Sequence, residues 1–146
     1  MTVLLLHAFP LDERMWEPQR AALEGRELVA PRLYGRGKTM AAMADSIAAE
    51  TEGELVVVGA SMGGYCALAL ARRAPERVRA LLLVGSRPDG DSDERRAGRA
   101  ATFDVIRNEG PEGLWRMMVP KLFGLAERAW APDPDWVREH ARVAGA

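Results

Sequence analysis

Short apolar runs recur along the first 85 residues, and segments with helical periodicity separate them. The runs that predict strands cover residues 3–6, 27–31, 54–59 and 80–85. The intervening helical patterns cover roughly residues 13–24, 39–51 and 62–73. Continuous apolar runs of this length are typical of strands buried on both faces of a parallel sheet. The alternation therefore predicts an α/β fold, in which helices flank a parallel sheet.

The pattern changes after Gly85, where a polar, turn-rich stretch begins. Helical patterns follow near residues 92–109, 111–123 and 133–144, and no further strand pattern appears. We interpret residues 1–85 as the α/β core and residues 86–146 as a helical cap segment.

A serine flanked by glycines lies at the junction of the third strand pattern and the helix that follows. Gly59-x-Ser61-x-Gly63 fits the nucleophile elbow, a sharp strand-to-helix turn that exposes a serine hydroxyl. Larger side chains two residues to either side would collide with the turn, so glycine is expected there. The strand before Ser61 and the helical pattern after it make a catalytic elbow the favoured interpretation. The alternative is a packing turn without a catalytic role.

The segment "LLLHAFPLDERMW", residues 4–16, also leaves a buried strand pattern. Acyl transfer needs N–H donors aimed at the oxygen that becomes negatively charged. We expect the backbone N–H groups of Phe9 and Met62 to form this oxyanion hole. His7 is interpreted as a residue that orders the loop rather than as a general base.

Charge and cysteine content exclude several classes of function and site. The net charge is −1, from 20 basic and 21 acidic residues, which gives no electrostatic case for binding nucleic acid. Cys66 is the only cysteine, so neither an intrachain disulfide nor a zinc quartet is possible, and we interpret it as a buried thiol. No metal and no cofactor are expected. The sequence shows no signal peptide and no run long enough to span a membrane, which predicts a cytoplasmic protein.

These motifs resemble the α/β-hydrolase superfamily, and specifically its small esterase-like members. The resemblance lies in residues 7–12 with Trp16, and in residues 59–73, 75–78 and 81–84. It implies a serine hydrolase that acts on small-molecule carboxylic esters through an acyl-enzyme on Ser61. Two departures stand out. Ala8 replaces the usual glycine of the oxyanion segment, and "PRLYGRGKT", residues 31–39, stands where the family usually has "PDLRGxGxS".

The same resemblance implies that the catalytic acid and histidine follow later strands, beyond a cap that is incomplete at Ala146. His140 is interpreted as a cap-helix residue, and Asp89 and Asp91 as parts of a solvated turn. The alternative function is therefore a truncated, non-catalytic fragment that acts as a binding or assembly module. Alone, the chain is expected to be a poor enzyme. Its strand at 80–84 is expected to become an exposed edge that forms a homodimer, aggregates or is covered by cap helices.

Overall fold

The structure is a computed structural model that describes the backbone of residues 1–122 and the side chains of residues 1–118. Its strands are β1 (Thr2–Leu6), β2 (Glu27–Val29), β3 (Leu55–Ala60) and β4 (Val78–Val84). Its helices are α1 (Glu17–Arg20), α2 (Met40–Glu50), α3 (Met62–Arg73) and α4 (Asp93–Leu122). Two 3₁₀ turns, Glu13–Trp16 and Ala21–Leu23, flank α1.

The four strands form one parallel sheet in the order β2-β1-β3-β4. This confirms the fold class that the alternating pattern predicts. Leu6 pairs with Gly59, and Ala60 pairs with Val84, so β1, β3 and β4 end close together. The loops that leave β1 and β3 therefore emerge together at the carboxyl ends of the strands, where open α/β sheets bind their ligands.

The central strands are buried because the sheet is covered on both faces. All five residues of β1 are buried. Its even-numbered side chains, Leu4 and Leu6, pack with residues of α2 and α3 such as Ile47 and Leu70. The odd-numbered side chains pack on the opposite face, in a cluster that contains Val3, Leu5, Trp16 and Ala60. This alternation explains why the sequence of β1 has no polar position after Thr2.

Strand β4 has the apolar sequence of an interior strand but lies at the edge of the described sheet. Its one strand neighbour among residues 1–122 is β3. Leu82 and Val84 are 57% and 49% exposed, and Leu81 is 36% exposed. Unpaired backbone groups and uncovered apolar side chains on one edge are a template for pairing with another chain.

Two helical segments differ from the pattern in the sequence. Residues 13–24 form short 3₁₀ and α turns rather than one helix. Pro18 lies among them and has no N–H to donate to the carbonyl four residues earlier, which a continuous helix would require. In α4, Gly110 has a φ of 65° and a ψ of −160°, which interrupts the helix just before Pro111. The predicted break between residues 109 and 111 is thus present. The pattern at 133–144 lies outside the described residues.

The chain divides into two compact units between Pro88 and Asp89. The first contains the whole sheet with α1, α2 and α3, and the second contains α4. Among the described residues, no helix combines the length and the apolar character that crossing a membrane requires.

Leu70 offers a test of the core between α3 and the sheet. It is fully buried, so Leu70→Ala should lower the free energy of unfolding by about 2–5 kcal/mol. Leu82→Ala is the matched control. Because Leu82 is mostly exposed, this change should stay within about 0.5 kcal/mol of the unmodified chain. Urea unfolding followed by circular dichroism measures both, and equal losses would contradict the described packing.

Candidate active site

Ser61 occupies a strained turn between the end of β3 and the start of α3. Its φ is 47° and its ψ is −109°, and it is the one non-glycine residue with positive φ in the described chain. A side chain is rarely found in this backbone region, and such strain concentrates at functional sites. The turn leaves Ser61 exposed, although Ala60, Gly63 and Gly64 around it are buried.

Hydrogen bonds hold the backbone of Ser61 on both sides. Its N–H donates to the carbonyl oxygen of Val84, at 2.9 Å. Its carbonyl oxygen accepts from the N–H groups of Gly64 and Tyr65, at 3.0 and 3.3 Å, and from the hydroxyl of Ser86, at 3.0 Å. These bonds stabilise a conformation that the residue would not adopt alone.

The glycines around Ser61 are required by close backbone contacts. A Cβ at Gly59 would lie 2.6 Å from the carbonyl oxygen of Gly63. A Cβ at Gly63 would collide with the carbonyl of Leu6 and lie 2.7 Å from that of His7. Any side chain at Gly63 would therefore push α3 away from the end of β1.

Gly64 is a third required glycine that the sequence reasoning missed. A Cβ there would collide with the side chain of Ser86, which is bound to the Ser61 carbonyl. The two consecutive glycines after Met62 are the sequence feature that could have indicated this close contact.

His7 is fully buried and connects the loop after β1 to the loop after β2. The N–H of Leu33 donates to His7 Nε2, at 2.9 Å. Because Nε2 is the acceptor, the neutral ring carries its proton on Nδ1, which donates to the Ala8 carbonyl at 3.1 Å. Burial lowers the pKa of His7, partly offset by the Ala8 hydrogen bond. His7 is thus a neutral ring whose basic nitrogen is already occupied.

The same contacts orient the peptide group between Ala8 and Phe9. The N–H of Ala8 donates to Met15 Sδ, at 3.2 Å, and its carbonyl accepts from His7. In a trans peptide the C=O and the following N–H point in opposite directions, so the Phe9 N–H points away from the His7 ring. Residues 1–122 supply no acceptor for that N–H, and none for the N–H of Met62, the first residue of α3.

Comparison with known proteins decides the family. The model of the "Alpha/beta hydrolase family" matches residues 3–146. The chain belongs to the alpha/beta hydrolase family. A curated relative is the pimeloyl-[acyl-carrier protein] methyl ester esterase of Aromatoleum aromaticum, 37% identical over 93 residues, which make up 59% of this chain and 37% of that protein.

Solved structures of esterases share the fold over almost the whole chain. A thermophilic esterase from Thermogutta terrifontis, solved with malate bound, matches with a TM-score of 0.83 and 34% identity. The match covers all of this chain and 61% of the esterase. An esterase from Exiguobacterium antarcticum, with a TM-score of 0.70 and 21% identity, shares the fold. The chain thus spans about 37% of the curated relative and 61% of the Thermogutta esterase.

A serine hydrolase of this family needs a base for the serine proton, and the described residues do not place one beside Ser61. His7 cannot accept a proton at Nε2 without losing its bond from Leu33. Asp89 and Asp91 are paired with Arg95 and Arg99 of their own unit. Arg99 also lowers the pKa of Asp91. His140 lies outside the described residues.

Among the side chains of residues 1–118, no three His, Cys, Asp or Glu are arranged to hold a metal ion. Cys66 is buried among apolar residues of α3 and the sheet, which raises the pKa of its thiol to about 11. It therefore remains a neutral thiol near pH 7 and is not a thiolate nucleophile.

Burial of neutral His7 predicts a pH dependence of stability. Its pKa is lower in the folded chain than its usual 6.5, so the unfolded chain binds the proton more readily. The stabilisation that comes from keeping His7 neutral is fully present above about pH 6.5, and it is lost as the pH falls toward the pKa of His7 in the folded chain. Between pH 7.5 and 5.0 we expect the free energy of unfolding to fall more in the unmodified chain than in His7→Gln.

The glutamine variant isolates this effect. Its side-chain oxygen can still accept from the Leu33 N–H, but it has no proton to gain in this pH range. All other titrating groups are shared, so the difference between the two pH curves reports His7. Parallel curves from urea unfolding would contradict the buried neutral state.

Proposed function

We propose that this chain provides the nucleophile and the oxyanion donors of an ester hydrolase, acting on carboxylic esters of small molecules. The observation that carries this proposal is Ser61, an exposed serine with positive φ at the carboxyl end of a central strand and at the start of a helix. The relatives described above, which carry the name esterase, support the same reaction class.

In the proposed reaction the Ser61 hydroxyl loses its proton to a base and its oxygen adds to the ester carbonyl carbon. The carbonyl oxygen becomes negatively charged, and the tetrahedral intermediate then expels the alcohol, which takes up the proton. Water hydrolyses the resulting acyl-enzyme and releases the carboxylic acid. Neither half of the cycle requires a metal or an organic cofactor.

The oxyanion donors in this proposal are the N–H groups of Phe9 and Met62. Support comes from the orientation of the Ala8–Phe9 peptide and from the position of Met62 directly after Ser61. Ala8 is a poorer candidate because its N–H is bound to Met15. Each such donor contributes on the order of 2.7–4 kcal/mol to the transition state in a well-studied protease.

In this proposal His7 is not the base, because its Nε2 already accepts from the Leu33 N–H. His140 is the only other histidine of the chain. It is therefore the first residue to substitute if the 146-residue chain turns over an ester at rates on the order of 10 per second.

Covalent labelling tests the nucleophile. Where a base is available to Ser61, a fluorophosphonate probe should add one equivalent to the unmodified chain and none to Ser61→Ala, as read by intact mass. Ser92→Ala is the matched control, because Ser92 is also exposed but lies in the second unit. Labelling of Ser61→Ala at the unmodified rate would overturn the assignment.

An assembly role is the second candidate, and the edge strand β4 favours it. We propose that two copies pair through this edge, which would cover Leu82 and Val84 and satisfy the free backbone groups. Most residues of β4 are apolar, so in either direction of pairing largely apolar side chains would meet across the interface.

Sedimentation measures this association. We expect the double variant Leu82→Lys, Val84→Lys to sediment as a monomer at concentrations where the unmodified chain associates, because lysines on an edge oppose pairing. Phe103→Lys is the control, since Phe103 is an exposed apolar residue of α4, outside the sheet. A monomeric unmodified chain, or equal association of all three, would contradict the edge interface.

A further inference from the structure

Three consecutive residues of the loop after β2 contact the segment that carries the Phe9 N–H. The guanidinium of Arg32 binds both carboxylate oxygens of Glu13, at 3.1 and 3.2 Å. The N–H of Leu33 donates to His7 Nε2, as described above. The hydroxyl of the next residue, Tyr34, donates to the carbonyl oxygen of Leu11, at 2.7 Å.

These contacts differ in strength. The ion pair of Arg32 with Glu13 is partly exposed to water, where such pairs contribute little. The hydroxyl of Tyr34 is held in a half-buried position, and burial raises the pKa of this phenol, so it stays protonated as a donor. Tyr34 is therefore the side chain of this loop that binds the segment from the less exposed position.

Tyr34 also contacts the other end of the same segment. Its ring lies against the ring of His7, with centroids 4.9 Å apart and planes tilted by 52°. His7 in turn binds the carbonyl of Ala8. One side chain thus holds Leu11 directly and Ala8 through the imidazole, and Phe9 lies between these two fixed points.

We propose that Tyr34 is a positioning residue that aims the Phe9 N–H at the oxygen of the transition state. The inference rests on the proposed function. It states that the direction of the Phe9 N–H depends on a residue that does not contact the substrate. It also gives a role to Tyr34 in "PRLYGRGKT", one of the positions where this chain departs from the pattern of the small esterases.

Two variants separate the contacts of Tyr34. Tyr34→Phe removes the bond to Leu11 and keeps the ring against His7, whereas Tyr34→Leu removes both. Tyr65→Phe, at the other tyrosine of the chain, is the matched control for loss of a hydroxyl. Each variant is compared with the unmodified 146-residue chain.

The first readout is amide hydrogen exchange by NMR, which requires no catalysis. The N–H groups of Ala8 and Leu33 are hydrogen-bonded in this structure, and their exchange reports the order of the segment and of the His7 ring. In Tyr34→Phe we expect Ala8 to exchange about 10-fold faster. In Tyr34→Leu, Leu33 should become faster as well. Val57 in β3 should keep its rate in both variants, which distinguishes a local effect from lower overall stability.

The second readout is the rate constant of Ser61 labelling by a fluorophosphonate. Removing one oxyanion donor costs about 10²–10³ in rate, so a misaimed donor in Tyr34→Phe should cost on the order of 10-fold. In the exchange measurement, the control Tyr65→Phe should leave the exchange rates of the Ala8 and Leu33 N–H groups unchanged.

The outcomes separate the two claims. Unchanged exchange at Ala8 and Leu33 in both Tyr34 variants would overturn the positioning role, whatever the labelling shows. Faster exchange with an unchanged labelling rate would also overturn it, because the segment would then move without affecting the reaction. Equal labelling of Ser61→Ala would instead overturn the nucleophile assignment.

Discussion

The close approach of α3 to the end of β1 is the constraint on which the rest of this structure depends. It is possible only because Gly63 has no side chain where the carbonyls of Leu6 and His7 pass. Gly59 and Gly64 allow the same approach on the side of β3 and Ser86. Once the helix is seated, the chain between β3 and α3 is too short for a relaxed turn. The strain is then concentrated at Ser61, the residue whose exposure the proposed chemistry requires.

The loop after β1 solves a complementary problem. A backbone N–H can act as a fixed donor only if the rest of its peptide is already committed. For the Phe9 N–H, the rest of the peptide is the Ala8 carbonyl, which accepts from His7. The preceding peptide is held as well, because the Ala8 N–H donates to Met15. A buried histidine is costly to charge, and in this loop its neutrality is useful because one ring nitrogen must accept while the other donates. The imidazole therefore acts as a structural connector between two loops rather than as an acid or base.

The fold followed from the sequence because its signals are local and agree with one another. Valine and leucine runs in β1 and β3 predict buried parallel strands, and the elbow glycines fix the turn to α3. The interruption at Gly110 was similarly visible as a glycine before a proline. The contacts among Tyr34, Leu11 and His7 join residues far apart in sequence, so periodicity and spacing carry no trace of them. The exposure of β4 could be expected only from the family pattern, because its own residues resemble those of an interior strand.

The hydrogen bond from the Ser61 N–H to the Val84 carbonyl has a consequence for motion. Val84 is the last residue of β4, and edge strands with exposed side chains open more readily than central strands. If the carboxyl end of β4 frayed, the Ser61 N–H would lose this bond, whereas the bonds to its carbonyl oxygen from Gly64, Tyr65 and Ser86 would remain. The backbone of Ser61 is therefore tied to the outermost strand of the described sheet, so a contact that orders the end of β4 also supports the turn that presents the serine.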